Sequence, residues 1–531
     1  SGASIRNEAG PALNIQQADK VFVTLAAGSQ NTLADGASYT LAEGEDEPNA
    51  ALYSKADLTI NGTGALTVEG NYRHGVNSKD DLVVTGGAIT VTAKEDGLRG
   101  KDCVKIADGT FAVTAGEDGI QSSNDEDPTR GFVAIDGGTF AIKAGDEGVQ
   151  AATYLRIAGG KGQVEAADHA LRSEIEAAMT GGAFTVEAGG KGMNPETRFT
   201  MDGGTLNVTG SDEGIEAEEV IVNDGELNIV ASDDGINAAV AERPELPEGA
   251  EEGQMPQRPE GDPGTEGAMP QGGRGGMGGA GGPVAANASE DCLIQINGGM
   301  VTVDAGGDGL DSNGYVEVNG GVVLASGSAG GGDSALDYEY GAKITGGAVI
   351  LAGATGMAET FTEGTQPFAM VAAEGAAGTN LAVTDEAGTV LVSYTVPKAF
   401  QCAVVSAPGL TEGATGKVIV GGTVTGADSA GYATGAAVEG GTTVDFTAST
   451  TPSNEVGRMG GGDGGRRGGG PRGGGARDAQ GNATEGEGAT ASEQNGTAPQ
   501  QGQNTGADQQ GTSGQRQQSA SAQTPQPEVV A

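Results

Sequence analysis

Gly137-Gly-Thr-Phe-Ala-Ile-Lys-Ala-Gly-Asp-Glu-Gly-Val149 is one copy of a unit that returns along the chain as far as Leu351. Its second glycine recurs at Gly64, Gly87, Gly109, Gly138, Gly160, Gly182, Gly204, Gly225, Gly299, Gly321 and Gly347, and five of those steps are 22 residues. A second marker follows ten residues later, at Gly97, Gly119, Gly148, Ala170, Gly192, Gly214, Gly235 and Gly309. Two markers held at one offset over a period of this size mean a solenoid. Apolar residues alternate on both sides of the double glycine, as in Val104/Ile106 before it and Phe111/Val113 after it. A third apolar position follows the later turn, at Leu98, Ile120, Val149, Leu171, Met193, Ile215, Ile236 and Leu310. Alternation with period two is strand, and glycine interrupts every window that could read as an amphipathic helix. Three inward-pointing strands per unit, stacked at about 4.8 Å, make a parallel β-helix, right-handed by the crossover rule. The expected fold is all-β, with about ten to eleven 22-residue coils.

Composition narrows the partners. The formal net charge is −45, which repels nucleic acid and anionic membranes and attracts divalent cations. Aromatic residues are 4% and tryptophan is absent, so the core rests on Val, Ile, Leu and Ala. No run approaches the ~18 consecutive apolar residues of a membrane span. There are three cysteines. Cys103 and Cys292 fall six coils apart, roughly 29 Å at 4.8 Å per coil, too far for a disulfide. They read as small buried hydrophobes. The chain opens at Ser1 without methionine or a leader, as a processed chain would, with anchoring to the cell envelope left to a missing N-terminal segment.

Pattern changes set the expected boundaries. Residues 1–50 carry short strands that would cap the first coil, and 51–358 form the β-helix. Within it, 241–288 is a Pro-, Glu- and Gly-rich insertion expected to be disordered, after which the repeat resumes in register. Residues 359–446 alternate like antiparallel strands and read as a small C-terminal β domain. The Gly/Gln/Arg-rich stretch 447–531 reads as a disordered tail. A shorter insertion of about seven residues, around Asn124–Pro128, falls between two coils, and solenoid insertions often mark the binding face.

A constant period stacks equivalent residues into columns. The residues before the later turn read Asp96, Asp118, Glu147, His169, Lys191, Glu213, Asp234 and Asp308. Stacked like charges repel unless they splay into solvent or a hard cation bridges them, and Ca²⁺ suits such carboxylate sets. Two clusters are candidate Ca²⁺ sites: Glu117 and Asp118 with Asn124, Asp125 and Asp127, and Asp233 and Asp234 with Asp308 and Asp311. Tight turns select Asp and Asn in any case. Midway, His169, Arg172 and Lys191 interrupt the acids. They either relieve repulsion or supply a base, Lys191 or Arg172, for proton abstraction beside a uronate carboxylate. Two histidines and no nucleophile elbow leave Ser/His/Asp hydrolysis without support. Tyr338 and Tyr340, two apart, and Tyr154 are candidate sugar contacts.

Several stretches resemble one family. They are Ala56-Asp-Leu-Thr-Ile-Asn-Gly62, Gly75-Val-Asn-Ser-Lys-Asp-Asp-Leu82, Glu117-Asp-Gly-Ile-Gln-Ser-Ser-Asn-Asp125, Ser232-Asp-Asp-Gly-Ile-Asn-Ala238, Gly307-Asp-Gly-Leu-Asp-Ser-Asn-Gly314 and Ser393-Tyr-Thr-Val-Pro-Lys-Ala-Phe-Gln401. Together they are similar to the calcium-containing β-helix carbohydrate-binding proteins of bacterial cell surfaces. The resemblance covers roughly residues 13–425 and implies a pectate-lyase-like β-helix, bound calcium and affinity for cellulose-like or acidic, polygalacturonate-like polysaccharide without established catalysis. It also implies a secreted protein or lipoprotein at the cell surface. His169, Lys191 and Gly162 depart from the repeat. The reading is an extracellular polysaccharide binder; the alternatives are a pectate-type lyase on the same fold and a structural spacer or adhesin.

Overall fold

A computed structural model describes residues 2–41, 44, 46–240, 288–330 and 332–452. Most of the expected insertion 241–288 (all but Ala288) and the tail from residue 453 lie outside the described residues. The molecule is an all-β parallel β-helix, as the repeat predicts.

Each coil contributes one strand to each of three stacks. The first holds twelve short strands, from Leu13–Ile15 through Leu98–Gly100 and Ile120–Ser122 to Asp337–Tyr338, all paired in parallel. The second stack begins with Lys20–Leu25 on Asp57–Gly62, and the third with Ser4–Asn7 on Gln30–Asp35. Arg198–Gly210 and Glu219–Ala231 run unbroken through both of these stacks and join them into one sheet. The residues expected to cap the helix therefore extend it: Leu13–Ile15 pairs in parallel with Ala50–Ser54. The coil count rises accordingly above the ten to eleven read from the glycine markers, which the first coil lacks.

Side-chain alternation builds the core. Ala88–Ala93 alternates exposed and buried, sending Ile89, Val91 and Ala93 inward, and each sits above its counterpart in the next coil, Ile89 on Phe111 and Val91 on Val113. Burying one such Val, Ile or Phe is worth about 1.5–3 kcal/mol. The double glycine follows from backbone geometry: Gly87 has φ +107° and Gly109 φ +142°, where a Cβ is strained. The later turn glycine has another cause. A Cβ on Gly97 would stand 2.4 Å from Val113 Cγ1 and 2.7 Å from the Gly119 carbonyl oxygen, so close stacking of coils demands its absence. A 21-residue step between Gly204 and Gly225 is absorbed by a register shift around Asp202.

Gly162, which departs from the repeat, has a packing reason. It lies in register between Phe140 and Phe184, whose rings meet across it with centroids 5.9 Å apart. Phe140 also stacks on Phe111 at 4.9 Å.

The segment 359–446 is continuous with the helix. Phe400–Ser406 pairs antiparallel with the last-coil strand Ala348–Gly353 and with Phe368–Gly375, covering the open sheet edge. A four-stranded antiparallel sheet of Thr379–Thr384, Val390–Val396, Thr415–Val420 and Thr442–Thr447 then shares a core cluster with Leu324, Ala348, Ile350 and Ala352. Tyr394 anchors it through a hydroxyl donated to the Val303 carbonyl at 3.2 Å. Cys103, Cys292 and Cys402 are buried free thiols. Among the described residues, no helix is long and apolar enough to cross a membrane.

Candidate functional site

The turn column beside the short-strand stack has a regular hydrogen-bond logic. At several junctions a column side chain accepts the backbone N–H of its counterpart one coil on. The Asp118 amide donates to Asp96 Oδ1 at 3.4 Å, Glu147 to Asp118 Oδ1 at 3.1 Å, Lys191 to His169 Nδ1 at 3.0 Å, and Asp308 to Asp234 Oδ1 at 2.7 Å. The column starts one coil earlier, where His74 Nδ1 lies 3.2 Å from the Asp96 amide nitrogen. Each turn glycine donates in the opposite sense, as Gly97 does to the Asp118 carbonyl at 2.8 Å. Acceptors on short side chains are thus required by the backbone as well as by turn geometry.

Electrostatics divide the column into three regions. At the N-terminal end, burial opposes the Asp96 charge, but His74 at 3.1 Å and Arg99 at 2.7 Å hold its carboxyl below the usual range. Next come Asp118, Asp146 and Glu147, whose carboxylate oxygens lie within 4.8 Å of one another. Burial and the neighbouring Asp118 push the Glu147 carboxyl up. In the middle, Arg172 reaches Glu174 at 3.2 Å, Glu147 at 3.7 Å and Glu196 at 3.9 Å, and Lys191 pairs with Glu216 at 2.7 Å. Although burial disfavours the ammonium, Glu216 raises the Lys191 pKa. Burial lowers that of His169. The third region is acidic: burial and mutual repulsion raise Asp234 to about 6, Asp308 to about 7 and Asp311 to about 8.

The structure gathers some expected residues and separates others. Asp234, Asp308 and Asp311 come together, with Asp233 acting on Asp234, and Asp337 joins them. Asp337 was not anticipated. It stacks in register on Asp311, but the step from Gly321 to Gly347 is 26 residues and the turn marker there is Ala335 rather than glycine. Asp118 meets Asp146 and Glu147 instead of the insertion acids. Asn124 donates to Asp102 Oδ1 at 2.6 Å and accepts the amides of Glu126 and Asp127, each at 3.1 Å. Asp127 is held by Thr129 and Arg130. Asp125, with Pro128, instead borders a cavity of about 520 Å³ lined also by Gln121, Gln150 and Glu174 on the short-strand side. The Glu117 carboxyl is raised by slight burial and then by Asp96 and Glu95. A further acid triad, Asp57, Asp80 and Asp81, lies on the second stack; the columns of the short-strand face could not have revealed it.

Tyr338 and Tyr340 do not share a face. Tyr338 pairs in register with buried Ser312 and packs against the core, its hydroxyl donating to the Thr360 carbonyl at 2.6 Å. Tyr340 instead stacks on Tyr315 with centroids 5.5 Å apart, and both rings are about two-fifths exposed, at 39% and 38%. Tyr154 is exposed on the second stack.

The architecture is that of a parallel β-helix presenting a laddered, carboxylate-rich turn face. Residues 1–243 match a family model described as carbohydrate-binding domain-containing protein. A carbohydrate-binding domain-containing protein of Acetivibrio thermocellus is 39% identical over 93 residues, which are 17% of this chain and 32% of that relative. The chain thus spans about a third of the length of the relative it matches. The solved structure of the polysaccharide lyase-like protein from C. thermocellum, a gadolinium derivative, is 33% identical, covering 39% of this chain and 73% of that one, with a TM-score of 0.31.

Proposed function

We propose that this protein is a polysaccharide-binding protein of the cell exterior, which holds Ca²⁺ on its turn face and recognises glycan there without cleaving it. The observation that carries the calcium reading is the convergence of Asp118, Asp146 and Glu147, whose ligand atoms lie within 4.8 Å of one another. An all-oxygen set of that kind matches the preference of a hard divalent cation, and binding would offset the burial and the Asp118 charge that raise Glu147. Asp234, Asp308, Asp311 and Asp337 offer a second, wider set of carboxylates. Similarity to carbohydrate-binding domain-containing proteins over residues 1–243 supports the glycan, and acidic polysaccharide is the class that bound cations would bridge.

The lyase reading requires Lys191 or Arg172 as a base. Both are engaged by glutamates and have raised pKa values, which favours their charged forms and argues for binding alone. The test is calorimetric titration of Ca²⁺ into chelator-stripped protein with and without polygalacturonate, alongside an assay for unsaturated uronide. Calcium heat with glycan retention and no product supports the proposal. Absence of both calcium and glycan binding leaves a structural spacer, and product lost in Lys191→Ala makes it a lyase.

A further inference from the structure

The second stack carries a feature unlike the rest of this acidic molecule. On its outer side, Phe132 and Tyr154 lie at matching positions of adjacent strands, and two residues along, Lys105, Ala134 and Arg156 follow one another over three successive coils. Ala134 is small and 7% exposed, so a groove of about 430 Å³ opens over it between its larger neighbours. That volume is within the roughly 300–1,000 Å³ of small-ligand sites.

The chemistry of the groove is balanced. Arg156 Nη2 lies 2.6 Å from Asp136 Oδ1, and Lys105 Nζ lies 3.5 Å from Asp81 and 5.1 Å from the centre of the Phe132 ring. Each cation therefore already faces a carboxylate. An anionic ligand would have to displace Asp136 or Asp81 and approach a chain of net charge −45. Hydroxyl groups have no such conflict. The Arg156 guanidinium has further N–H donors and the Asp136 carboxylate further lone pairs, so vicinal hydroxyls can be bound with the ion pair intact. Tyr154, 40% exposed, offers a ring face to the apolar C–H side of a pyranose.

We infer that this groove over Ala134 is a metal-independent seat for an uncharged pyranose unit of a glycan, stacked on Tyr154 and hydrogen-bonded by Arg156 and Asp136. The inference rests on the carbohydrate-binding reading but assigns a different face and a different class of sugar from the calcium ladder. Neighbouring units of the same glycan would run along the stack, since the coil spacing of about 4.8 Å is close to the length of one sugar ring.

The experiment is calorimetric titration of the full chain in excess chelator with cellohexaose, a neutral glucose hexamer, and separately with hexagalacturonate. Tyr154→Ala and Arg156→Met are compared with the parent, and each variant is first checked for an unchanged thermal transition. The groove predicts cellohexaose binding in chelator, weakened about tenfold or more by each substitution, as for an interface anchor. It predicts that hexagalacturonate does not displace the neutral sugar. Cellohexaose binding unchanged in both variants overturns the assignment, as does binding that appears only with calcium. If hexagalacturonate binds with calcium while cellohexaose does not bind in chelator, the ladder survives and the groove falls. If neither sugar binds under any condition, the carbohydrate reading falls with it.

Discussion

The amide nitrogen of Asp308 stands 2.7 Å from Oδ1 of Asp234, although 74 residues separate them along the chain. In space they are one coil apart, since Ile236–Ala238 pairs directly with Leu310–Ser312. The relation matches that of Glu147 to Asp118, 29 residues apart. Coil contacts, and not chain distance, set the column.

That relay separates the two roles of a column aspartate. Asp234→Ala removes the acceptor of the Asp308 amide and is expected to cost about 1–3 kcal/mol. Asp234→Asn keeps an oxygen there while removing a charge from a crowded acid set. In chelator at about pH 8 it is expected to match or exceed the parent in urea denaturation, a reversal that a purely electrostatic or purely turn-forming role does not produce.

The raised carboxyls fix a direction for pH. Asp234, Asp308 and Asp311 titrate near 6, 7 and 8 when folded, against about 3.9 unfolded. The folded state therefore holds protons that the unfolded chain has released. Their favourable contribution is full below about pH 4 and is lost as pH rises through 6 to 8. Asp96 has the opposite sign, its contribution being lost only in acid, so the useful window lies above about pH 5. In chelator the melting temperature should fall from pH 5 to 8.5, and millimolar Ca²⁺ should flatten the slope. A melting temperature that rises across this window contradicts the crowding.

Restoring the repeat at position 162 should harm the protein. A Cβ on Gly162 would stand 2.9 Å from Phe140 Cβ and 3.0 Å from Phe184 Cε1. Gly162→Phe, which gives the position the ring its neighbours carry, is expected to destabilise by about 1–3 kcal/mol through overpacking. Gly162→Ala should cost less, and denaturant midpoints would rank the two.

Removing everything after residue 358 would uncover Ile344, Val349 and Leu351 in the last coil, along with the unpaired edge of Ala348–Gly353. Such an edge templates association. The truncated chain is expected to self-associate in light scattering, while the full chain keeps a single species at equal concentration.

The repeat was legible because glycine is required there twice over, by φ at Gly109 and by close packing at Gly97. The same period stacks Asp234, Asp308 and Asp311 on neighbouring coils from the sequence alone. It could not place Asn124 and Asp127, because an inserted loop satisfies its own amides before it reaches a neighbour. Tyr338 sits away from Tyr340 for a related reason. The last coil is longer, and its register sets Tyr338 on the buried Ser312 position while Tyr340 passes to the ring of Tyr315. Glu147 belongs to the turn column and Asp146 precedes it in the chain, but only three-dimensional stacking brings both onto Asp118.

Pairing between successive coils also has a mechanical side. Pulled from its ends, a molecule bonded in this way has no single lock to break, because each coil is held by its two neighbours alone. It should yield a coil at a time from the ends inward, each step paying out about 70–80 Å of chain at 3.3–3.6 Å per residue. The antiparallel strand Phe400–Ser406, zipped along Ala348–Gly353, would resist in shear at one end, so the filament should unravel first from the other. A protein stretched between a surface and a fibre would then behave as a shock absorber with a preferred direction of give.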